Sequence, residues 1–127
     1  MVTTLYAGIL GLIYVGLSAY VIKGRFQYRV SLGDGGQEAL TRRIRAHGNF
    51  IEYVPFAVIL IILAEFEGIS EMTIHGLGGF LVLGRFMHIM GVVYPQTSFI
   101  CRRGGMVITF GVIVLSSILC VKSFFIF

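Results

Sequence analysis

The stretch that decides the fold is RRIRAHGNFIEYVPFAVILIILAEF, residues 42–66, in which charged and polar side chains lead directly into an apolar segment. Extended back to Thr41, the segment is long enough for a transmembrane helix, which needs about 20 residues at about 1.5 Å each. The charges at its start then lie on the helix itself, at or below the membrane surface. Each needs a physical reason, because a charge at mid-span costs about 2.5 to 3.5 kcal/mol.

Three further apolar runs accompany this one, roughly at residues 3–22, 74–93 and 106–127. The chain has 127 residues, of which 57% are hydrophobic and 13% charged, and its mean hydropathy of +0.91 is far above that of soluble domains. No Ser/Pro-rich linker, low-complexity tract or internal repeat marks a second domain. We therefore predict an all-α membrane protein, a four-transmembrane-helix bundle in a single domain covering residues 1–127.

The distribution of basic residues predicts the topology. The first connection and its flank are basic, as is the third, whereas the second connection, EFEGISEM, has three glutamates and no basic residue. Cytoplasmic loops carry the excess of lysine and arginine, so both termini are expected outside. The first span is expected to be retained rather than cleaved as a signal peptide, because MVTT precedes it and its positive charge, Lys23, follows it. The net charge of +4 on the inner side suits anionic headgroups or an anionic cytosolic substrate.

Polar side chains of the second span share one helix face, at steps of three or four residues: Arg42, Arg45, Asn49 and Glu52, with Tyr53 at its edge. Arg85 and His88 share a face of the third span. A simple interpretation pairs Glu52 with Arg85 in a buried ion pair and makes the arginines at 42, 43 and 45 interfacial anchors. The number and variety of groups instead favour a bound polar ligand, a zwitterion with excess negative charge, because guanidinium groups bind carboxylates and a carboxylate binds an ammonium.

Three other features are less decisive. Pro55 should bend the second helix, either to open the site or for packing alone. Arg102 and Arg103, in CRRGG near the start of the fourth helix, are either topological anchors or groups that stabilise a thiolate or oxyanion beside a helix N-terminus. Cys101 and Cys120 lie about 19 residues apart along one helix, which excludes a disulfide between them, and no metal-ligand spacing is present.

The pattern R-x-x-R-A-x-x-N-x-x-E-Y-x-P, together with an arginine in the third helix and another starting the fourth, resembles the MAPEG family, the membrane-associated proteins of eicosanoid and glutathione metabolism. The resemblance covers essentially the whole chain and is strongest to the compact bacterial members. It implies a homotrimer of four-helix subunits that binds glutathione between neighbouring subunits near the cytosolic face. It also implies an inner-membrane location if the chain is bacterial.

The resemblance assigns roles residue by residue. The glutathione-binding positions would be Arg25, Arg45, Asn49, Glu52, Tyr53, Arg85 and His88, with Arg29 as a rival to Arg25. Within that set, Glu52 would hold the γ-glutamyl amino group and Arg45 a carboxylate. Arg102, or after a one-residue shift Arg103, would lower the pKa of the glutathione thiol.

The implied activity is a glutathione transferase that holds the thiol as a thiolate for attack on lipophilic electrophiles, with peroxidase activity as an extension. The expected partners are glutathione as co-substrate, a lipophilic electrophile and membrane lipid, with no nucleic acid and no metal.

Val92 replaces a tyrosine of the eicosanoid synthases, which argues against eicosanoid substrates and leaves a non-catalytic glutathione-binding protein as an alternative. A small four-span exporter is disfavoured, because such exporters usually carry a glutamate in the first span and the first span here has no charge. His47, opposite Glu52, is expected to be an interface or packing residue.

Overall fold

Four helices form the described part of the chain, residues 1–94, 96 and 99–126 of a computed structural model. They are α1 (Thr3–Tyr28), α2 (Glu38–Phe66), α3 (Glu71–Val93) and α4 (Phe99–Ile126). All four are long and apolar enough to cross a membrane. The predicted all-α, four-helix fold is therefore confirmed, and the chain is a multi-pass integral membrane protein.

The helices extend beyond the apolar runs because the polar residues that flank each run continue the same backbone hydrogen bonding. In α1 the extension ends at Arg29, which adopts the left-handed conformation with φ 56°. The loop that follows is fixed by Asp34, whose carboxylate accepts hydrogen bonds from the Thr41 hydroxyl at 2.7 Å and from the Gly36 N–H at 2.9 Å. These bonds, with the Thr41 bond the stronger, hold the pKa of Asp34 below its usual range. The loop is thereby tied to the first turn of α2.

The closest helix contact joins α3 and α4 through glycines. A Cβ atom built on Gly105 would lie 2.5 Å from both the Gly84 carbonyl oxygen and the His88 backbone nitrogen. Small residues permit such approach between membrane helices. Gly105 and the fully buried Thr109, one helical turn apart in α4, therefore serve packing within one subunit. Cys101 and Cys120 are free thiols, as predicted.

The prediction that His47 is a packing residue is consistent with its contacts on α1. Its ring stacks on Tyr14 with centroids 5.3 Å apart, and its Nε2 lies 3.0 Å from the Ser18 hydroxyl oxygen.

The α2 helix continues through Pro55, which lies beside Gly11 and Ala7 of α1 in an apolar groove.

A carboxylate from α2 caps the start of α1. Glu65 accepts the N–H of Val2 through one oxygen, and through the other it accepts the N–H of Thr3 at 2.9 Å and the Thr3 hydroxyl at 2.5 Å. A helix N-terminus has unpaired N–H donors and a partial positive charge, so an anion there satisfies both. Glu65 therefore ties the amino end of α1 to the far end of α2.

Replacing Glu65 with alanine should lower the melting temperature in detergent or nanodiscs by several degrees, because α1 would lose its only non-local cap among the described residues. Glu67→Ala, two residues further along on an exposed side chain, is the matched control and should leave the melting temperature unchanged. Equal melting temperatures for the two variants would contradict the cap.

Candidate functional site

On α2, the predicted polar face divides into anchors and an ion pair. Arg42 donates to the Glu38 carboxylate at 2.8 Å, one helical turn earlier. Arg43 donates to the Tyr20 carbonyl at 3.1 Å and lies over the Tyr20 ring at 4.0 Å. Both side chains already have partners near the start of α2, which agrees with the anchor interpretation for these two arginines.

Arg45 and Glu52 form the ion pair of this face. Their charged atoms are 3.8 Å apart, and the side chains are 59% and 50% exposed. The alternative in which Glu52 neutralises Arg85 in a buried pair is wrong, because Glu52 faces outward and pairs on its own helix. An exposed, loosely held pair contributes little to stability. Its two charges thus remain accessible to a ligand that carries both an acid and an amine.

Arg85 of α3 lies at the centre of a buried polar cluster. Its side chain is 0% exposed, and its Nη2 donates to Asn49 Oδ1 at 2.6 Å, which joins α2 to α3. The same nitrogen lies 3.3 Å from Nδ1 of His88, a residue that is 3% exposed. Spacing along α3 predicted that Arg85 and His88 face together, and they do. The link to Asn49 rather than to Glu52 is a new finding.

The other side of the Arg85 guanidinium faces α4. Its Nη1 lies 3.5 Å from Thr109 Oγ1 and 3.7 Å from the Met106 sulfur. The guanidinium carbon also lies 5.8 Å from the centre of the Phe50 ring. Its Nε has no hydrogen-bond partner among the described residues. Three helices therefore enclose this charge.

The start of α4 reaches the same region through Gly91. A Cβ atom on Gly91 would collide with the backbone of Arg102, so the two backbones are in direct contact. The neighbouring Arg103 instead turns its guanidinium over Phe99, 4.0 Å from the ring centre. The geometry thus distinguishes the two arginines: the Arg102 backbone lies against α3, whereas the Arg103 side chain lies on Phe99.

Charges from three helices converge on the His88 imidazole. Arg45 of α2, Arg85 of α3 and Arg102 of α4 all lie within electrostatic range of that ring. The Tyr53 phenol lies within the same range of Arg85, and its ring meets the Phe110 ring edge-on at 5.3 Å. The fold therefore places most of the residues predicted for the site in one region of the bundle: Arg45, Asn49, Glu52, Tyr53, Arg85, His88 and Arg102.

Arg25 is placed differently from the other predicted site residues. Its Nη1 donates to the Gly33 carbonyl at 2.8 Å and to the Val30 carbonyl at 3.5 Å, so it braces the loop after α1. Arg29, its rival, is exposed and ends α1. No contact within the described part of one chain joins either arginine to the Arg85 cluster. A role for them in the same site would have to come from an adjacent subunit.

Sequence reasoning missed the residues that set the shape of the cluster. Gly84, Gly91 and Gly105 allow α3 and α4 to approach closely enough for Arg102 and His88 to be neighbours. The sequence signals were the seven-residue spacing of Gly84 and Gly91, which places both on one helix face, and the four-residue spacing of the small residues Gly105 and Thr109. Among the described residues, no group of three His, Cys, Asp or Glu side chains could hold a metal ion.

The fold and this cluster define a class of protein: a four-helix integral membrane protein with an arginine-rich polar site at the end of the bundle where α2 begins and α3 ends. More specifically, the chain belongs to the MAPEG family, whose sequence model matches residues 3–122. It is 39% identical over 115 residues to the inner membrane protein YecN of Escherichia coli K12, across 91% of this chain and 86% of that protein. The protein of the same name from a second E. coli strain matches equally well. Family membership supports a membrane protein related to glutathione and eicosanoid metabolism.

Proposed function

We propose that the protein is a membrane-bound glutathione transferase that activates the glutathione thiol for attack on a lipophilic electrophile. The observation that carries this proposal is the exposed pair of Arg45 and Glu52, on the same helix as Asn49, which Arg85 holds at 2.6 Å. Glutathione carries two carboxylates, one ammonium and a thiol. A site rich in guanidinium groups with one exposed carboxylate matches that charge pattern.

The ion pair of α2 supplies the recognition of the ammonium and of one carboxylate of glutathione. Glu52 accepts the ammonium, and Arg45 binds a carboxylate. Because the pair is half-exposed and its charged atoms are 3.8 Å apart, a ligand carrying both charges can replace the internal contact with two new ones. Asn49 and Tyr53, on the same side of α2, complete the binding surface.

Arg102 is the residue that activates the thiol. It lies in the early turns of α4, where its full charge adds to the positive end of the helix dipole. A thiolate is stabilised by both, so the bound thiol loses its proton at a lower pH than free glutathione. The thiolate then forms a bond from sulfur to the electrophilic carbon, whose leaving group or π electrons take up the displaced pair.

The proposed assembly is a homotrimer in the bacterial inner membrane, with both termini outside and the site near the cytoplasmic face. The location is that of the E. coli relative, an inner membrane protein, and the orientation follows from the basic first and third connections. Glutathione enters from the cytosol and the electrophile from the bilayer. A neighbouring subunit would bring Arg25 to the site.

Two measurements test the function directly. Titration calorimetry of the purified protein with glutathione should show saturable binding, and ultraviolet difference spectra should show thiolate absorbance on binding. A screen of glutathione with electrophiles and lipid hydroperoxides then identifies the second substrate. Absence of glutathione binding would reject the proposal.

Arg102→Ala should abolish the thiolate absorbance while weakening glutathione binding by about 10- to 100-fold, since a charged hydrogen bond contributes about 1.5 to 3 kcal/mol. Arg103→Ala is the matched control, because this neighbouring side chain stacks on Phe99. It should leave the absorbance intact. If Arg103→Ala removes the signal and Arg102→Ala does not, the one-residue assignment is reversed.

A second candidate function is a glutathione-binding protein without transferase activity. The supporting observation is Val92, which is buried and whose carbonyl accepts from Arg42 at 3.5 Å. The position that carries a tyrosine in the eicosanoid synthases is thus occupied by a buried apolar residue, whose backbone contacts α2. Binding without thiolate absorbance and without turnover in the screen would favour this candidate.

A further inference from the structure

Arg85 is fully buried and has only hydrogen-bond donors, and this combination fixes the roles of its neighbours. We infer that Arg85 is a positioning residue that holds Asn49 and His88 so that both present donors to an anionic group of the ligand. The inference rests on the proposed function for the identity of that ligand as glutathione. It does not make Arg85 a binding residue, because both of its Nη atoms already have partners within the bundle.

The Asn49 amide is oriented by its short contact with Arg85. Nη2 of Arg85 can only donate, so the atom 2.6 Å away must be the amide oxygen, which is the atom found there. With the oxygen engaged in the interior, the amide has its NH2 group left for other partners. Asn49 can therefore offer the ligand a donor and no acceptor.

The same reasoning fixes the tautomer of His88. Its Nδ1 lies 3.3 Å from Arg85 Nη2, and two donors cannot share a hydrogen bond. Nδ1 must then accept, so the ring is neutral and carries its proton on Nε2. The Nε2–H is the group left to donate to a ligand.

The other contacts of Arg85 keep it from turning toward the ligand. Thr109 donates its hydroxyl to the Gly105 carbonyl at 2.8 Å, which leaves its oxygen lone pairs for Arg85 Nη1 at 3.5 Å. On another side lies the Phe50 ring. The guanidinium is thus enclosed by acceptors and an aromatic ring, and its influence on a ligand passes through Asn49 and His88.

The result is a surface of donors with a single carboxylate. Arg45, the Asn49 amide NH2 and the His88 Nε2–H all donate, whereas Glu52 is the one carboxylate. The donor part requires a ligand group that accepts several hydrogen bonds, which is a carboxylate or a thiolate. A neutral amide at that position of the ligand would place N–H groups against donors and should be rejected.

Nitrogen-15 NMR of histidine-labelled protein in nanodiscs tests the inference without any ligand. We expect the His88 ring to carry its proton on Nε2 and to have an unprotonated, hydrogen-bonded Nδ1. The signal is assigned by its loss in His88→Gln and by its retention when His47 or His75 is replaced. A wild-type His88 ring protonated at Nδ1, or doubly protonated at neutral pH, would overturn the inference even if no Arg85 variant folds.

Variants of Arg85 sharpen the test. Arg85→Gln should convert His88 to a mixture of tautomers and weaken glutathione binding by about 10- to 100-fold, the range seen when outer-shell partners of metal-bound histidines are removed. Arg85→Lys, which keeps a donor, should retain part of the Nε2–H tautomer. An unchanged tautomer in Arg85→Gln would refute the role of Arg85.

Thr109→Val is the matched control, because it removes the Nη1 acceptor and leaves both Nη2 contacts. It should preserve the tautomer, and a tautomer change in this variant would contradict the assignment to Nη2. The ligand arm uses glutathione and its diamide, in which both carboxylates are neutral. If the wild-type protein binds neither molecule, the proposed function fails, whereas the tautomer result still decides the role of Arg85.

Discussion

Gly105→Ala is expected to destabilise the bundle more than any other single-methyl change in α4. The added carbon would lie 2.5 Å from the Gly84 carbonyl oxygen and from the His88 backbone nitrogen. Both are backbone atoms, so α3 and α4 can accommodate the methyl group only by moving apart. Overpacking of this kind costs about 1 to 3 kcal/mol, and the separation would also displace His88 from Arg102. We expect a clear drop in melting temperature and a loss of glutathione binding.

Gly111→Ala on the same helix is the matched control. No atom lies within 4 Å of the position its Cβ would occupy, and alanine favours the helix by about 1 kcal/mol over glycine in an exposed interior position. Its melting temperature should equal or exceed that of the wild type. A Gly105→Ala variant as stable as Gly111→Ala would show that close approach of α3 and α4 does not hold the bundle together.

The sequence was sufficient to predict the four helices and the face that Arg45, Asn49 and Glu52 share. Both depend on local quantities: the length of an apolar run and the 3.6-residue period of a helix. Helix ends were less accessible, since α1 continues to Tyr28 and α4 begins at Phe99, beyond the apolar runs. Polar residues near the membrane surface are compatible with either helix or loop, so composition alone does not decide them.

Contacts between helices could not be predicted from spacing. Periodicity shows which residues share a face but leaves open how the helices are rotated against one another. The simple interpretation paired Arg85 with Glu52, whereas the structure gives it Asn49, His88 and Thr109. The choice depends on where α3 and α4 touch, and that point is set by Gly84, Gly91 and Gly105. A pattern of glycines does not reveal its partner surface.

The placement of Arg102 shows what the structure added to the family resemblance. The resemblance left open whether Arg102 or Arg103 is the matching arginine, because the two are adjacent in the helix, carry the same charge and lie at nearly the same depth. The two side chains are about 100° apart around the helix axis. Contact of Arg102 with Gly91 and stacking of Arg103 on Phe99 separate them. The assignment of the thiolate chemistry to Arg102 is a proposal, and its test is the pair of alanine variants.

Glu52→Gln should lower the affinity for glutathione by about 10- to 100-fold, because the variant loses a charge-assisted hydrogen bond worth about 1.5 to 3 kcal/mol while keeping the size of the side chain. The fold should be unaffected, since the Glu52 side chain is half-exposed and its only ion pair among the described residues is the loose one with Arg45. Titration calorimetry gives the affinity, and thermal unfolding gives the stability. Glu38→Gln is the control: this glutamate is on the same helix and pairs with Arg42 at 2.8 Å, and its loss should leave glutathione binding unchanged.

A glutathione analogue without the γ-glutamyl amino group separates direct recognition from a general change in charge. The wild-type protein should bind this analogue about as weakly as the Glu52→Gln variant binds glutathione. The variant should not distinguish the two ligands, because the partner of the amino group is already gone. Such coupling between a side chain and one ligand group is what a double-mutant cycle measures. If removal of the amino group costs the variant as much affinity as it costs the wild type, the two effects are independent, and Glu52 does not hold that group.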